Sequence, residues 1–136
     1  MNKIEIASKG LWYFAHPYTC RDKDGSYVPE GEEANFNICN MRAAELLIRG
    51  YNVYAPISHT HPIHRACPIF LAQHEHDIWY KLDNEVIART DWNGIILAPK
   101  WGESGGCKAE YDWFLSHKRR DGKPHEILKY SNLIGD

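Results

Sequence analysis

Short, continuously apolar runs alternate along this chain with longer stretches of helical period. Leu11-Trp12-Tyr13-Phe14-Ala15 is aromatic and apolar throughout, the content of a strand buried on both faces, and is predicted as the first and central strand. It ends at His16-Pro17-Tyr18-Thr19, where Pro17 breaks strand pairing. Residues Arg21 to Glu33 are polar, with turn residues at Asp24-Gly25 and Pro29-Glu30-Gly31, and are expected to form a mobile excursion. From Ala34 to Arg49 the period becomes helical, with Phe36, Cys39, Ala43, Leu46 and Leu47 on one face and Gly50 as the C′ glycine. Tyr51 to Ala55 reads as the second strand, and Pro56 to Gln73 as irregular chain. A second helix over Ile78 to Arg89 turns Ile78, Leu82, Val86 and Ile87 inward. Gly94 to Ala98 is the third strand, and Pro99, Gly102, Gly105 and Gly106 punctuate the loop after it. Ala109, Trp113 and Phe114 carry a third helix to about Arg120. Asp121 to Pro124 ends that helix, and His125 to Tyr130 is the last, edge strand.

Repeated strand–helix alternation predicts an α/β domain with a parallel sheet. At 136 residues the chain is expected to form one domain, residues 1–136, with a core of its own. Net charge is −2, and Lys118-Arg119-Arg120 is too short a run to make a basic footprint, so no nucleic-acid partner is expected. No stretch approaches the roughly 20 apolar residues of a membrane span, and the opening residues MNKIEIASKG lack the apolar core of a signal peptide. A cytoplasmic protein with no membrane partner is the expectation. Cys20, Cys39, Cys67 and Cys107 form no Cys-x-x-Cys pair and are read as free thiols. His59, His61, His64 and Cys67 crowd one stretch. His61 and His64 share a face only if that stretch is helical, and Pro62 argues for a loop, so neither a metal nor another cofactor is expected. Five tryptophans are many for so small a core, which points to a homodimer.

The chemistry concentrates in Trp101 to Phe114, a glycine-rich turn between a strand and a helix. Ligands of parallel sheets collect outside the carboxyl ends of the strands, and N–H groups at a helix start can hold an anion. Glu110, expected in the first helical turn, is either a group that complements the helix dipole or a reactive carboxylate. Asp83, on the preceding helix, can reach the same sheet edge or simply pair with Lys81 or Arg89. Two carboxylates brought together there suit substitution at a sugar carbon, one as nucleophile and the other for proton transfer.

Four elements in order, Tyr13-Phe14-Ala15-His16-Pro17-Tyr18, Ser58-His59-Thr60-His61-Pro62-Ile63, Trp79-x-x-x-Asp83 and Gly102-Glu103-Ser104-Gly105-Gly106-x-x-x-Glu110, resemble the nucleoside 2-deoxyribosyltransferase-like superfamily. They are most similar to its small bacterial and phage branch. The resemblance runs from about Leu11 to Pro124. It implies a single-domain Rossmann-like (flavodoxin-like) three-layer sandwich with a mainly parallel sheet of about five strands. It also implies Glu110 as nucleophile, Asp83 as its partner at the leaving base or sugar, and Tyr13 as a hydrogen-bond donor to the catalytic carboxylate. Ser104 matches the members that hydrolyse nucleoside 5′-monophosphates, where base-exchanging transferases tend to carry an aspartate. A hydroxyl with the N–H groups of Gly105 and Gly106 accepts a phosphate that a carboxylate repels. His16, Pro17 and Tyr18 would line the phosphate or sugar cradle, and Arg42 or His61 would supply positive charge. Departures from the pattern are His16, where many members of this branch carry a small serine, and the long, charged excursion over Arg21 to Glu33. The implied activity is N-glycosidic cleavage of a (deoxy)nucleoside 5′-monophosphate, with 2-deoxyribosyl transfer or non-catalytic nucleotide sensing as alternatives. The implied assembly is a homodimer or a dimer of dimers.

Overall fold

A computed structural model describes residues 10–66 and 75–135. In chain order the elements are β1 (Trp12–Ala15), α1 (Pro29–Ile48), β2 (Val53–Tyr54), α2 (Pro56–Ala66), α3 (Glu75–Arg89), β3 (Gly94–Leu97), α4 (Gly105–Ser116), β4 (Glu126–Lys129) and α5 (Tyr130–Leu133), with a 3₁₀ turn at Trp101–Glu103 before α4. The strands form one parallel sheet in the order β2-β1-β3-β4. The sheet therefore has four strands among the described residues, against about five expected. β1 lies inside it and β4 at its edge, as the sequence predicts.

Alternation along β1 and β3 divides the core in two. Trp12, Phe14 and Ile96 face Phe36, Cys39 and Leu46 of α1 together with Tyr130. Tyr13, Ala15, Ile95 and Leu97 face Ile87 of α3, Trp92, and Cys107 and Phe114 of α4. Helices thus cover both faces, which is why these strands read as unbroken apolar runs. Phe14, Leu46, Ile95 and Ile96 are each fully buried, and each contributes about 1.5–3 kcal/mol by leaving water.

Gly50 ends α1 as predicted. Its φ is 95°, Gly50 N–H donates to Leu47 O and Tyr51 N–H to Leu46 O, the two bonds of a Schellman motif. Several boundaries differ from expectation. α1 begins at Pro29, so Pro29-Glu30-Gly31 is its first turn: proline needs no N–H partner at a helix start, and Glu30 and Glu32 complement the dipole there. The excursion is correspondingly short, a tight hairpin bridged Arg21 to Tyr27. Its turn is held by Asp22, whose Oδ1 accepts from Asp24 N–H (2.9 Å) and Ser26 N–H (3.0 Å). Pro56 to Ala66 is helix rather than irregular chain, with Pro56 starting it and Pro62 tolerated inside. α4 stops at Ser116, and the segment after it is a hairpin bridged Lys118 to Pro124. Leu47 and Ile78 are exposed rather than inward, at 52% and 37%. The rest of the stretch expected to be irregular, residues 67–73 with Cys67, and the first nine residues lie outside the described residues.

Gly94 fixes the β3–β4 approach, because a Cβ there would lie 1.9 Å from Glu126 O. Gly94→Ala is expected to lower unfolding free energy by about 3 kcal/mol, measured by denaturant titration. A change below the error of that titration would show the two strands to be less tightly set.

Candidate active site

Three chain reversals meet at the carboxyl end of the sheet. After β1 the chain turns at His16-Pro17, after β2 it enters α2 at Pro56, and after β3 it passes Lys100, whose φ of 65° bends it into the 3₁₀ turn and α4. Between them lies a cavity of about 310 Å³, within the range of small-molecule sites. Asp83, Ser104, Gly106, Glu110, His16, Tyr18 and His61 all line it. Tyr13, Pro17, Arg42 and Gly105 are not on its wall, and two of these act from behind it.

Tyr13 is the first. It is fully buried on the α4 side of the sheet, packed edge-on to Trp92 at 5.3 Å between centroids, and its hydroxyl donates a short hydrogen bond to Glu110 Oε2. A phenol buried there must find an acceptor. Burial, then the Glu110 and Asp83 charges, raise its pKa well above the ordinary value, so Tyr13 stays protonated and a donor. Glu110 stands in the second turn of α4 rather than the first, too far from the helix start for the dipole to settle its charge state. Burial pushes it up to about 8, against the Tyr13 bond, and Asp83 raises it further. Asp83 is itself pushed up to about 6 by burial, with His59 opposing, and its Oδ1 is buried with no hydrogen-bond partner among the described residues. Glu110 is still protonated when Asp83 ionises, so the repulsion between the two falls on Glu110. Between those values the pair holds about one proton.

Arg42 is the second. Its Nη1 donates to His16 Nε2 at 2.9 Å, which fixes His16 as the Nδ1–H tautomer donating to Pro17 O at 2.8 Å. Burial and Arg42 lower His16 to about 4, against the Pro17 bond, so it is a neutral wall residue. His61 is engaged at both nitrogens, with Tyr18 and with Glu33. Ser104 is the N-cap of α4: its Oγ accepts from Cys107 N–H at 3.2 Å, which leaves its O–H to donate elsewhere. Burial raises the Cys107 and Cys39 thiols to about 12 and about 11, so neither is a nucleophile at neutral pH. Among the described residues no group of three or more His, Cys, Asp or Glu side chains is placed to hold a metal.

Sequence reasoning missed part of the wall. Arg21 and Tyr27 reach the cavity from the hairpin, with the Arg21 guanidinium 4.0 Å over the Tyr27 ring and bonded to Gly25 O. The clue is the turn at Asp24-Gly25, which folds the excursion back on itself. Trp79 and Tyr80 of α3 and His64 of α2 complete the aromatic side.

The raised carboxylates carry a stability cost whose sign is fixed. In the folded chain both bind protons more tightly than in the unfolded chain, so stability is greatest below about pH 4 to 5 with respect to these groups. It falls as pH rises through about 6 and about 8. Glu110→Gln is expected to raise the thermal midpoint by about 5 °C at pH 8.5 and by much less at pH 5, read by calorimetry. An equal shift at both pH values would mean the carboxylate is not the cause.

The chain belongs to the family described as Domain of unknown function (DUF1937), which it matches over residues 10–122, a span containing every residue of the cavity wall. No curated protein matches it. No helix among the described residues is long and apolar enough to cross a membrane.

Proposed function

We propose that this cavity cleaves the N-glycosidic bond of a (deoxy)nucleoside 5′-monophosphate, with Glu110 as nucleophile and Asp83 as proton donor. The observation that carries the proposal is the Tyr13–Glu110 hydrogen bond beneath a cavity shared with Asp83. Ionised Glu110 attacks C1′ of the sugar as the C1′–N bond breaks, and protonated Asp83 gives its proton to the departing base nitrogen. Water then adds to C1′, the ester to Glu110 breaks, and the water proton returns to Asp83. The products are free base and sugar 5-phosphate. Tyr13 holds the attacking carboxylate in place and stabilises its charge.

The phosphate is assigned to the loop before α4, where the Ser104 hydroxyl and the Gly106 N–H border the cavity beside the first helical turn. Gly105 N–H belongs to the same turn. Arg21 is the only Arg or Lys among the described wall residues, and we assign it the role of counter-charge in place of Arg42, which is off the wall, and His61, whose two nitrogens bond Tyr18 and Glu33; the Arg21 guanidinium also bonds Gly25 O and Tyr27 OH. His16 and Tyr18 border the same cavity, with Pro17 between them off its wall. The strand order and the two covered faces support a flavodoxin-like, three-layer reading of the fold.

We further propose a cytoplasmic homodimer or dimer of dimers. The tryptophan argument for it is weaker than the sequence suggests, because Trp12 and Trp92 are buried and Trp79, Trp101 and Trp113 half-buried within one chain. What supports assembly is the outer face of α1, where Met41 and Ile48 are 71% and 81% exposed.

The working form, Glu110 ionised and Asp83 protonated, is the minor arrangement of the one-proton pair, whose proton otherwise sits on Glu110. The expected kcat/KM profile is therefore a bell with limbs near 6 and 8. Glu110→Gln is expected to lower base release from a nucleotide panel by at least ~10³-fold. Asp83→Asn is expected to lower it by ~10²–10⁴-fold and to remove the alkaline limb. Base release by Glu110→Gln at the wild-type rate would end this mechanism. Replacing Ser104 by Asp keeps a good N-cap while adding a negative charge. It should reduce kcat/KM for 5′-monophosphates by ~10²-fold and leave that for unphosphorylated nucleosides nearly unchanged; equal losses on both would remove the phosphate from this loop. Release of base only when a second base is supplied would favour the transferase reading.

A further inference from the structure

A second set of polar groups borders the cavity and takes no part in the steps above. Tyr18 OH lies 2.6 Å from His61 Nδ1, and His61 Nε2 makes a short hydrogen bond with Glu33 Oε2, while Glu33 Oε1 accepts from Arg65 Nη1 at 2.6 Å. His61 is 7% exposed and packs against Phe36 at 4.5 Å between ring centroids, so its ring orientation is set. Proton positions follow from valence. The His61 bond, and after it Arg65, hold Glu33 below the usual carboxylate range, and an ionised carboxylate only accepts. His61 Nε2 must therefore carry the hydrogen. In the neutral ring Nδ1 then has only a lone pair, so the Tyr18 hydroxyl donates to it. A phenol that has given its one proton to His61 can only accept from every other group, including His64 Nδ1 at 3.3 Å.

We infer that Glu33 and His61 fix the Tyr18 hydroxyl as a hydrogen-bond acceptor on the cavity wall, selecting a ligand that presents an O–H or N–H donor there. Tyr18 is the group that touches the ligand; Glu33, absent from the wall, and His61 act through it as positioning residues. The inference rests on the cavity being the nucleotide site. The donor is a sugar hydroxyl or an amino group of the base, and the two chemistries separate experimentally. The titratable and charged groups around His61 are Glu33 from α1, Tyr18 from the segment after β1, His64 from its own helix, and Arg65 beyond Glu33.

Long-range ¹H–¹⁵N correlation of the full chain labelled at histidine reads the tautomer without reference to activity. At pH 7.5 His61 is expected to show a protonated Nε2 and an unprotonated Nδ1, a preference lost in Glu33→Ala. A protonated Nδ1 at that pH would overturn the inference. Binding is then read by calorimetry in a Glu110→Gln background, which blocks turnover, using adenosine 5′-monophosphate and its 2′-deoxy, 3′-deoxy and base-unsubstituted purine analogues. Tyr18→Phe is expected to weaken the parent nucleotide about tenfold and to leave unchanged the one analogue that lacks the selected donor. An equal loss across all four would overturn the role of Tyr18. Binding by none of them would instead refute the nucleotide reading on which the inference rests.

Discussion

The hydrogen bond from Tyr13 to Glu110 joins the central strand to the helix that bounds the cavity, and most of the site depends on it. Tyr13 stands on an interior strand with no exposure to solvent, where a phenol without a partner costs about 1–3 kcal/mol. Glu110 stands where burial makes ionisation unfavourable. Each supplies what the other lacks, because the phenol needs an acceptor and the carboxylate needs a donor. The bond opposes the burial that raises Glu110, and it engages Oε2 of the carboxylate, not Oε1. Asp83 completes the set, its Oδ1 buried with no hydrogen-bond partner among the described residues.

The remaining walls follow from where the parallel strands end. Because β1, β2 and β3 all point the same way, the segments after them meet on one side, and each contributes a different chemistry. The segment after β1 brings His16 and Tyr18, α2 brings His61 and His64, and the start of α4 brings Ser104 and Gly106. The electrostatic outcome is mixed rather than basic. His16 is neutral, His61 is bonded at both nitrogens, and Arg21 on the hairpin is the one guanidinium among the described wall residues. The proposed phosphate contact would therefore rest mainly on N–H and O–H donors, with the Arg21 guanidinium as the positive group.

How much of this was legible in the sequence depended on whether the determinants were local. The buried strands read correctly because covering both faces demands unbroken apolar runs, and Gly50 read correctly because the end of α1 needs a left-handed residue. Tyr13, Asp83, Ser104 and Glu110 came from motif resemblance. The structure puts the last three on one cavity and Tyr13 behind it. Prolines misled the reading twice. Pro29 and Pro56 suit turn or loop positions by residue type, yet both open helices, where the missing N–H costs nothing. The partners of Arg42 and His61 were not legible at all, because His16 and Glu33 are distant in sequence and meet them only after the sheet forms.

The central claim is that Glu110 forms a covalent bond to the sugar. A fluorine at C2′ destabilises the cationic transition state and so slows release of such an adduct. Intact-protein mass spectrometry after incubation with 2′-fluoroarabinonucleoside 5′-monophosphates therefore tests the claim directly. The account predicts a mass increase equal to one fluorinated sugar phosphate less one water, localised to the peptide carrying Glu110 and absent from Glu110→Gln. Free base released from unmodified nucleotides, with no adduct on Glu110 from any fluorinated analogue, would contradict it.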